Sequence, residues 1–162
     1  RAPYLITTAD NVLLSHSSID GVLAKMQAGA GAVAAIAREA DVKNVHREAQ
    51  RSFYKFRDGG YANCNLYALA DEHALGATAI FREGGQFMKN PARLVRAFGL
   101  LNILMMKYKL VTLNQALRLA SRRFGISIQA FIPADGTQAV DVDNERTYDV
   151  VEMVLKARQT TT

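Results

Sequence analysis

The pattern of apolar and polar positions divides the chain into short β-type runs and longer helical ones. Tyr4, Leu5, Ile6, Thr7 and Thr8 form an unbroken β-prone run that stops at Ala9-Asp10-Asn11. This predicts a buried parallel strand ending in a loop. Ile19, Val22, Leu23 and Met26 then recur at helical spacing. Ser17 is the cap candidate for that helix, with Asp20 placed as a capping-box partner. Gly29 and Gly31 end it. Residues 31–37 are small and apolar and read as the next strand, with a helix as the alternative. Residues 51–57 alternate, which puts Arg51, Phe53, Lys55 and Arg57 on one face of a strand and Tyr54 and Phe56 on the other. Gly59-Gly60 breaks the chain, and 61–69 resumes as a strand.

The second half reads mostly as helix. Residues 71–82 form one helix. Asn90-Pro91 is a cap followed by a first-turn proline, and Leu94, Phe98, Leu101, Met105 and Tyr108 mark one face of a long helix. Thr112 and Gln115 form a capping box ahead of Leu113, Ala116, Leu117, Ala120 and Phe124, with Gly125 as the stop. Residues 126–132 and 138–142 read as short strands. Asn144 caps a last helix that buries Tyr148, Val151 and Leu155. This order predicts a Rossmann-like α/β fold, a three-layer α/β/α sandwich with a mostly parallel mixed sheet. Such folds bind ligands beyond the C-terminal strand ends, which separates Asp10 from an ordinary loop aspartate.

Composition narrows the class. The chain has 162 residues, 49% hydrophobic and 22% charged, enough for one domain with a core. Its net charge of +5 suits an anionic small molecule. Nucleic acid is not the expected partner: the net charge is modest and the basic clustering is limited. The single cysteine, Cys64, excludes an internal disulfide and a Cys-rich zinc site and fits a cytoplasmic protein. The longest apolar run, 100–106, is interrupted by Asn102 and falls short of the ~20 residues that span a bilayer. Stable membrane insertion is therefore not expected. Residues 98–111 are apolar on more than one face, which suits burial against further sequence or a homodimer interface; membrane or partner contact is the alternative.

Four places carry candidate chemistry. Asp10 is either a rigid strand-end ligand for a hard cation such as Mg²⁺ or a cap for the loop behind it. Asp141 and Asp143 share one face of an extended segment, where two like charges call for a cation; the alternative is that Asp143 helps Asn144 cap the last helix. In Asp58-Gly59-Gly60-Tyr61-Ala62-Asn63-Cys64-Asn65 the glycines permit close backbone approach to a ligand, and Asn63 and Asn65 can hydrogen-bond a polyol or base edge. A β-turn followed by a strand with solvent-facing polar residues explains the same run. Lys89, Arg93 and Arg96 at a helix start suit a phosphate or a solvated face. Arg122-Arg123 complements a helix C-terminus. His16, His46 and His73 have no ligand spacing, and Cys64 reads as a buried small residue. There is neither a G-x-G-x-x-G nor a Walker pattern.

Together these residues resemble the MobA-like NTP transferase family, which includes molybdenum cofactor guanylyltransferase and its cytidylyl-transferring relatives. The resemblance rests on Leu5-Ile6-Thr7-Thr8-Ala9-Asp10-Asn11-Val12-Leu13-Leu14, on Asp58-Gly59-Gly60 through Asn65-Leu66-Tyr67, and on Val140-Asp141-Val142-Asp143 entering a helix. The stretch Lys89-Asn90-Pro91-Ala92-Arg93-Leu94-Val95-Arg96-Ala97-Phe98-Gly99 also looks like a branch of bacterial members. It implies a nucleotide-diphospho-sugar transferase-like domain that moves NMP from an NTP, GTP or CTP, to a phosphorylated acceptor and releases pyrophosphate. Mg²⁺ would be held by Asp10 and Asp141, with Asp143 as a further ligand. The resemblance also implies contacts to substrate from Gly59, Gly60, Asn63, Asn65, Lys89 and Arg93. The family opens with a strand and a Gly-rich basic loop that bind the NTP, and these 162 residues do not contain them. Residues 1–159 are thus expected to be the C-terminal portion of a single nucleotidyltransferase-like domain, with 160–162 a disordered tail. A non-catalytic binding or scaffold domain on the same fold is the alternative.

Overall fold

A computed structural model describes residues 2–78 and 99–160. Its strands are β1 (Tyr4–Thr7), β2 (Ala32–Arg38), β3 (Tyr54–Phe56), β4 (Gly59–Leu69) and β5 (Ile128–Phe131). Its helices are α1 (His16–Gln27), α2 (Glu39–Val45), α3 (Glu72–Thr78), α4 (Leu100–Lys107), α5 (Leu113–Phe124) and α6 (Glu145–Thr160), with a 3-10 turn at Gly136–Ala139.

The sheet runs β1-β4-β2-β5, with β3 also on β4. β4 is antiparallel to β1, β2 and β3, while β2 and β5 are parallel. Four strands therefore point one way and β4 is reversed. Leu69 pairs with both Tyr4 and Ala32, and Tyr61 with both Tyr54 and Arg38. β1 and β3 thus share the edge of β4 opposite β2. They leave Ala62, Asn63, Cys64 and Asn65 unpaired between them on that edge.

The strand period builds the layers. Val33, Ala35 and Ala37 of β2 and Ala62, Cys64, Leu66 and Ala68 of β4 enter one core with Leu13 and Val22 and with Val42, Val150, Val151 and Val154 of α2 and α6. Ile36, Tyr61 and Ala130 face the other side, against Met105 of α4 and Leu113, Ala116 and Leu117 of α5. The result is the expected α/β/α sandwich.

Several local expectations are corrected. Among the described residues β1 pairs with β4 alone, antiparallel rather than parallel, and it is not buried: Leu5 is 43% and Ile6 40% exposed. An apolar run specifies a strand but not how many neighbours it gains. The α1 cap is Ser15, not Ser17: Ser15 has extended backbone and its Oγ accepts from Ser18 N (3.2 Å). Gly59-Gly60 opens β4 rather than breaking the chain, and the strand at 51–57 narrows to Tyr54–Phe56. A Cβ on Gly60 would collide with the Glu39 carboxylate, which is held by Lys43 (2.6 Å) and Lys55. α2 was not expected. The strand expected at 138–142 is the 3-10 turn plus an irregular segment. Asp135 Oδ1 accepts from Thr137 N (2.9 Å), and the buried Gln138 amide donates to Leu13 O (3.0 Å) while its Oε1 accepts from Ser15 N (3.0 Å). The buried face of α6 is Thr147, Val150, Val151 and Val154, whereas Tyr148 and Leu155 are exposed. Thr147 can be buried because its hydroxyl donates to Asn144 O (3.0 Å) and accepts from Asp143 N (3.0 Å).

Two expectations for α5 hold. Thr112 and Gln115 form the full capping box, with Thr112 Oγ1 accepting from Gln115 N (3.2 Å) and Gln115 Oε1 accepting from Thr112 N (2.8 Å). Gly125 ends α5 at φ 68°. Among the described residues no helix is long and apolar enough to cross a membrane.

Candidate active site at the end of β1

The site forms where β1 runs out and β4 loses its edge partner. The register of β2 on β4 steps from Ala34↔Tyr67 to Ile36↔Asn63, so Ala35 faces Cys64, Asn65 and Leu66 together. β4 bulges here, and Asn65 takes the left-handed region at φ 49°. Asparagine tolerates that conformation better than most side chains, and the bulge re-aims its amide out of the ladder. Asn65 Nδ2 donates to Asp141 Oδ2 (2.7 Å). Asn63 Nδ2 donates to Asn65 Oδ1 (2.6 Å) and to the Tyr67 hydroxyl. Asn63 Oδ1 accepts from Asn65 N (3.2 Å). Each amide is thereby oriented by the next.

Asp10 and Asn11 enter from the β1 side. Asn11 Nδ2 donates to Cys64 O (2.8 Å), a carbonyl in the unpaired stretch of β4, and more weakly to Thr7 Oγ1 (3.4 Å). Val142 N donates to Asp10 O (3.1 Å), which ties the β1 loop to the segment carrying Asp141. Two residues far apart in sequence, Asp10 and Asp141, thus belong to one site.

Negative charge gathers around Asp141. Burial pushes the Asp141 carboxyl from 3.8 up to about 6, the Asn65 hydrogen bond pulls it down, and the charges of Asp10 and Asp143 raise it further. Asp10 Oδ1 and Asp141 Oδ1 are buried and have no hydrogen-bond partner among the described residues. Burial also raises the Tyr67 hydroxyl and pushes the Cys64 thiol up to about 12, so Cys64 is no nucleophile. Two carboxylates close enough for their charges to interact, each with an oxygen that has no partner among the described residues, suit a hard cation, which takes one or two carboxylates and fills its other positions with water and phosphate. Among the described residues no group of three or more His, Cys, Asp or Glu could hold a metal.

The remaining candidates lie elsewhere or are engaged differently. Asp143 is exposed at the head of α6, where its backbone N–H donates to Thr147 Oγ1, and Asn144 Oδ1 caps the helix by accepting from Thr147 N (3.3 Å). Gly59 and Gly60 sit in the β3–β4 hairpin, at the start of the strand that carries Asn63 and Asn65. Asp58 Oδ1 accepts from Leu113 N (3.0 Å) at the start of α5. Lys89, Arg93 and Arg96, with most of the long helix predicted from Asn90, lie outside the described residues. Sequence reading did not give Asn11 or Tyr67 a role of its own. Its only available signal was a polar residue directly after a strand-end acid, and a phenol two positions beyond an Asn-x-Asn.

No protein-family model and no curated protein matches the chain. A solved structure described as a hypothetical transferase from Thermus thermophilus is similar, with 24% sequence identity and a TM-score of 0.76. The match covers 91% of this chain and 63% of that one. At that identity the likeness establishes a shared fold.

Proposed function

We propose that this chain carries the cation site of a MobA-like nucleotidyltransferase, which transfers NMP from GTP or CTP to a phosphorylated acceptor and releases pyrophosphate. The observation that carries this reading is the pairing of Asp10 with Asp141 at the end of β1, linked through Val142 N and by the interaction of their charges, each with a buried oxygen lacking a partner among the described residues. A description as a transferase, given to the similar Thermus protein, agrees with it.

Asp10 and Asp141 would hold Mg²⁺, which when bound neutralises the phosphate charge. Asn65 holds the Asp141 carboxylate by one oxygen and leaves the other free to bind. The acceptor phosphate oxygen forms a bond to the α-phosphorus as the bond from that phosphorus to pyrophosphate breaks. No protein group needs to remove a proton, since the nucleophile is already anionic. Positioning and charge neutralisation supply most of the rate in such transfers. Gly59, Gly60, Asn63, Lys89 and Arg93 are the proposed contacts to nucleotide and acceptor. Residues 1–159 act in this proposal as one domain, cytoplasmic, with Asp143 near the cation but outside the hydrogen-bonded cluster.

The test is pyrophosphate release by the full gene product, supplied with an NTP, phosphorylated acceptors and Mg²⁺. Turnover should require the metal and fall at least ~100-fold in Asp10→Ala and Asp141→Ala, as expected when a group stabilising transition-state charge is removed. Turnover intact in both variants would refute the assignment. The competing reading, a non-catalytic binding domain, draws on the presence of only two paired carboxylates. It predicts tight binding of a phosphorylated ligand that needs neither metal nor Asp10.

A further inference from the structure

The buried side-chain oxygens and nitrogens without a partner among the described residues are Asp10 Oδ1, Asn11 Oδ1, Asp141 Oδ1 and Arg146 Nη1. The three oxygens belong to residues that the hydrogen bonds below tie together, and all three are acceptors. An unpaired buried carbonyl carries its full desolvation cost, so the Asn11 amide oxygen needs an explanation as much as the carboxylates do.

Its surroundings supply one. Asn11 is only 6% exposed. Its Nδ2 is committed to Cys64 O (2.8 Å), which decides that the oxygen is the free end of the amide. The next residue along β4, Asn65, holds Asp141 (2.7 Å), and the residue after Asp141 donates its N–H to Asp10 O (3.1 Å). The pairs Asp10-Asn11, Cys64-Asn65 and Asp141-Val142 are therefore tied to one another in a ring. Among the described residues these three oxygens have no donor of their own, and a cation is a partner that could serve all of them. Asparagine carbonyls are ordinary oxygen ligands of hard divalent cations. Asp143, exposed at the head of α6, is not part of this ring.

We infer that Asn11 Oδ1 is the third protein ligand of a divalent cation held with Asp10 and Asp141, and that Asp143 is not a ligand. This rests on the reading of Asp10 and Asp141 as a cation site. It gives Asn11 two duties: its nitrogen fills the gap in the β4 edge, and its oxygen binds the ion.

Mn²⁺ binding to the purified protein, read by electron paramagnetic resonance of the free ion with Mg²⁺ as competitor, tests it. Asn11→Ala removes both duties and should weaken Mn²⁺ about tenfold, a loss typical of a disturbed metal site. Asn11→Asp keeps the oxygen, loses the donor and should bind at least as tightly as the wild type. Asp143→Asn should leave affinity within about twofold, on the scale of that same comparison. If Asn11 only holds the Cys64 carbonyl, Asn11→Ala and Asn11→Asp lose the same bond and change affinity alike, which overturns the inference. Should Asn11→Ala fail to fold, Asn11→Asp decides, and weaker binding than wild type overturns it. Asp10→Asn separates the two levels of the argument. If it weakens Mn²⁺ while the Asn11 variants do not, only the role of Asn11 falls. If the wild type takes up no Mn²⁺, the two-carboxylate reading falls with it.

Discussion

Asp141 is the residue where burial and charge disagree most. Its carboxyl is pushed to about 6 in the folded protein by burial, with Asp10 and Asp143 adding to the effect against the Asn65 hydrogen bond. In an unfolded chain an aspartate ionises near ~3.9. Between these values the folded state binds the extra proton, so stability falls as pH rises through that window. Asp141→Asn removes the ionisation and keeps an oxygen to accept from Asn65. It should be more stable than wild type at pH 7 without metal, by on the order of 2 kcal/mol, and the gap should close by about pH 4. Urea unfolding at several pH values measures this; a variant less stable than wild type at pH 7 would contradict it. The two acids were legible in the sequence because each leaves a local mark, an acid at a strand end and an Asp-x-Asp before a helix cap. Asn11 and Tyr67 were not legible, because their roles come from a carbonyl and an amide presented by a distant strand.

Among the elements, the segment that delivers Asp141 departs most from sequence expectation. Gln138, Ala139 and Val140 are fully buried and look like a strand in a hydrophobicity pattern. Polar side chains decide otherwise: Asp135 holds the turn, and Gln138 spends its amide on the chain around Leu13 and Ser15. This turn packs so tightly on α2 that a Cβ on Gly136 would collide with the Asp41 carbonyl. Gly136→Ala should therefore cost about 1–3 kcal/mol, as overpacking does. Gly76 in α3 faces open space, and Gly76→Ala should raise stability by about 0.4–1 kcal/mol. Chemical denaturation of the pair distinguishes packing from helix propensity; equal effects of the same sign would contradict the account. The capping box of α5 was legible because its chemistry is contained within four residues, Thr112 to Gln115.

For the whole molecule, the layers were readable and the sheet order was not. The order of strands and helices points to an α/β sandwich, and the unbroken apolar run at 31–37 fits a strand covered on both faces. Nothing local says that β1 pairs with β4 alone in the described structure, or that β1 and β3 leave a gap between them. That gap makes the site, since it frees the Cys64 carbonyl and the Asn65 bulge to meet residues from β1 and from the segment before α6. We propose that Asp10 and Asp141, separated by most of the chain, hold one cation together. Anomalous diffraction from crystals soaked in Mn²⁺ tests it most directly. The account predicts a peak about 2.0–2.6 Å from a carboxylate oxygen of both Asp10 and Asp141; a soaked crystal with no peak between them, or with its ion on Asp143 alone, would contradict it.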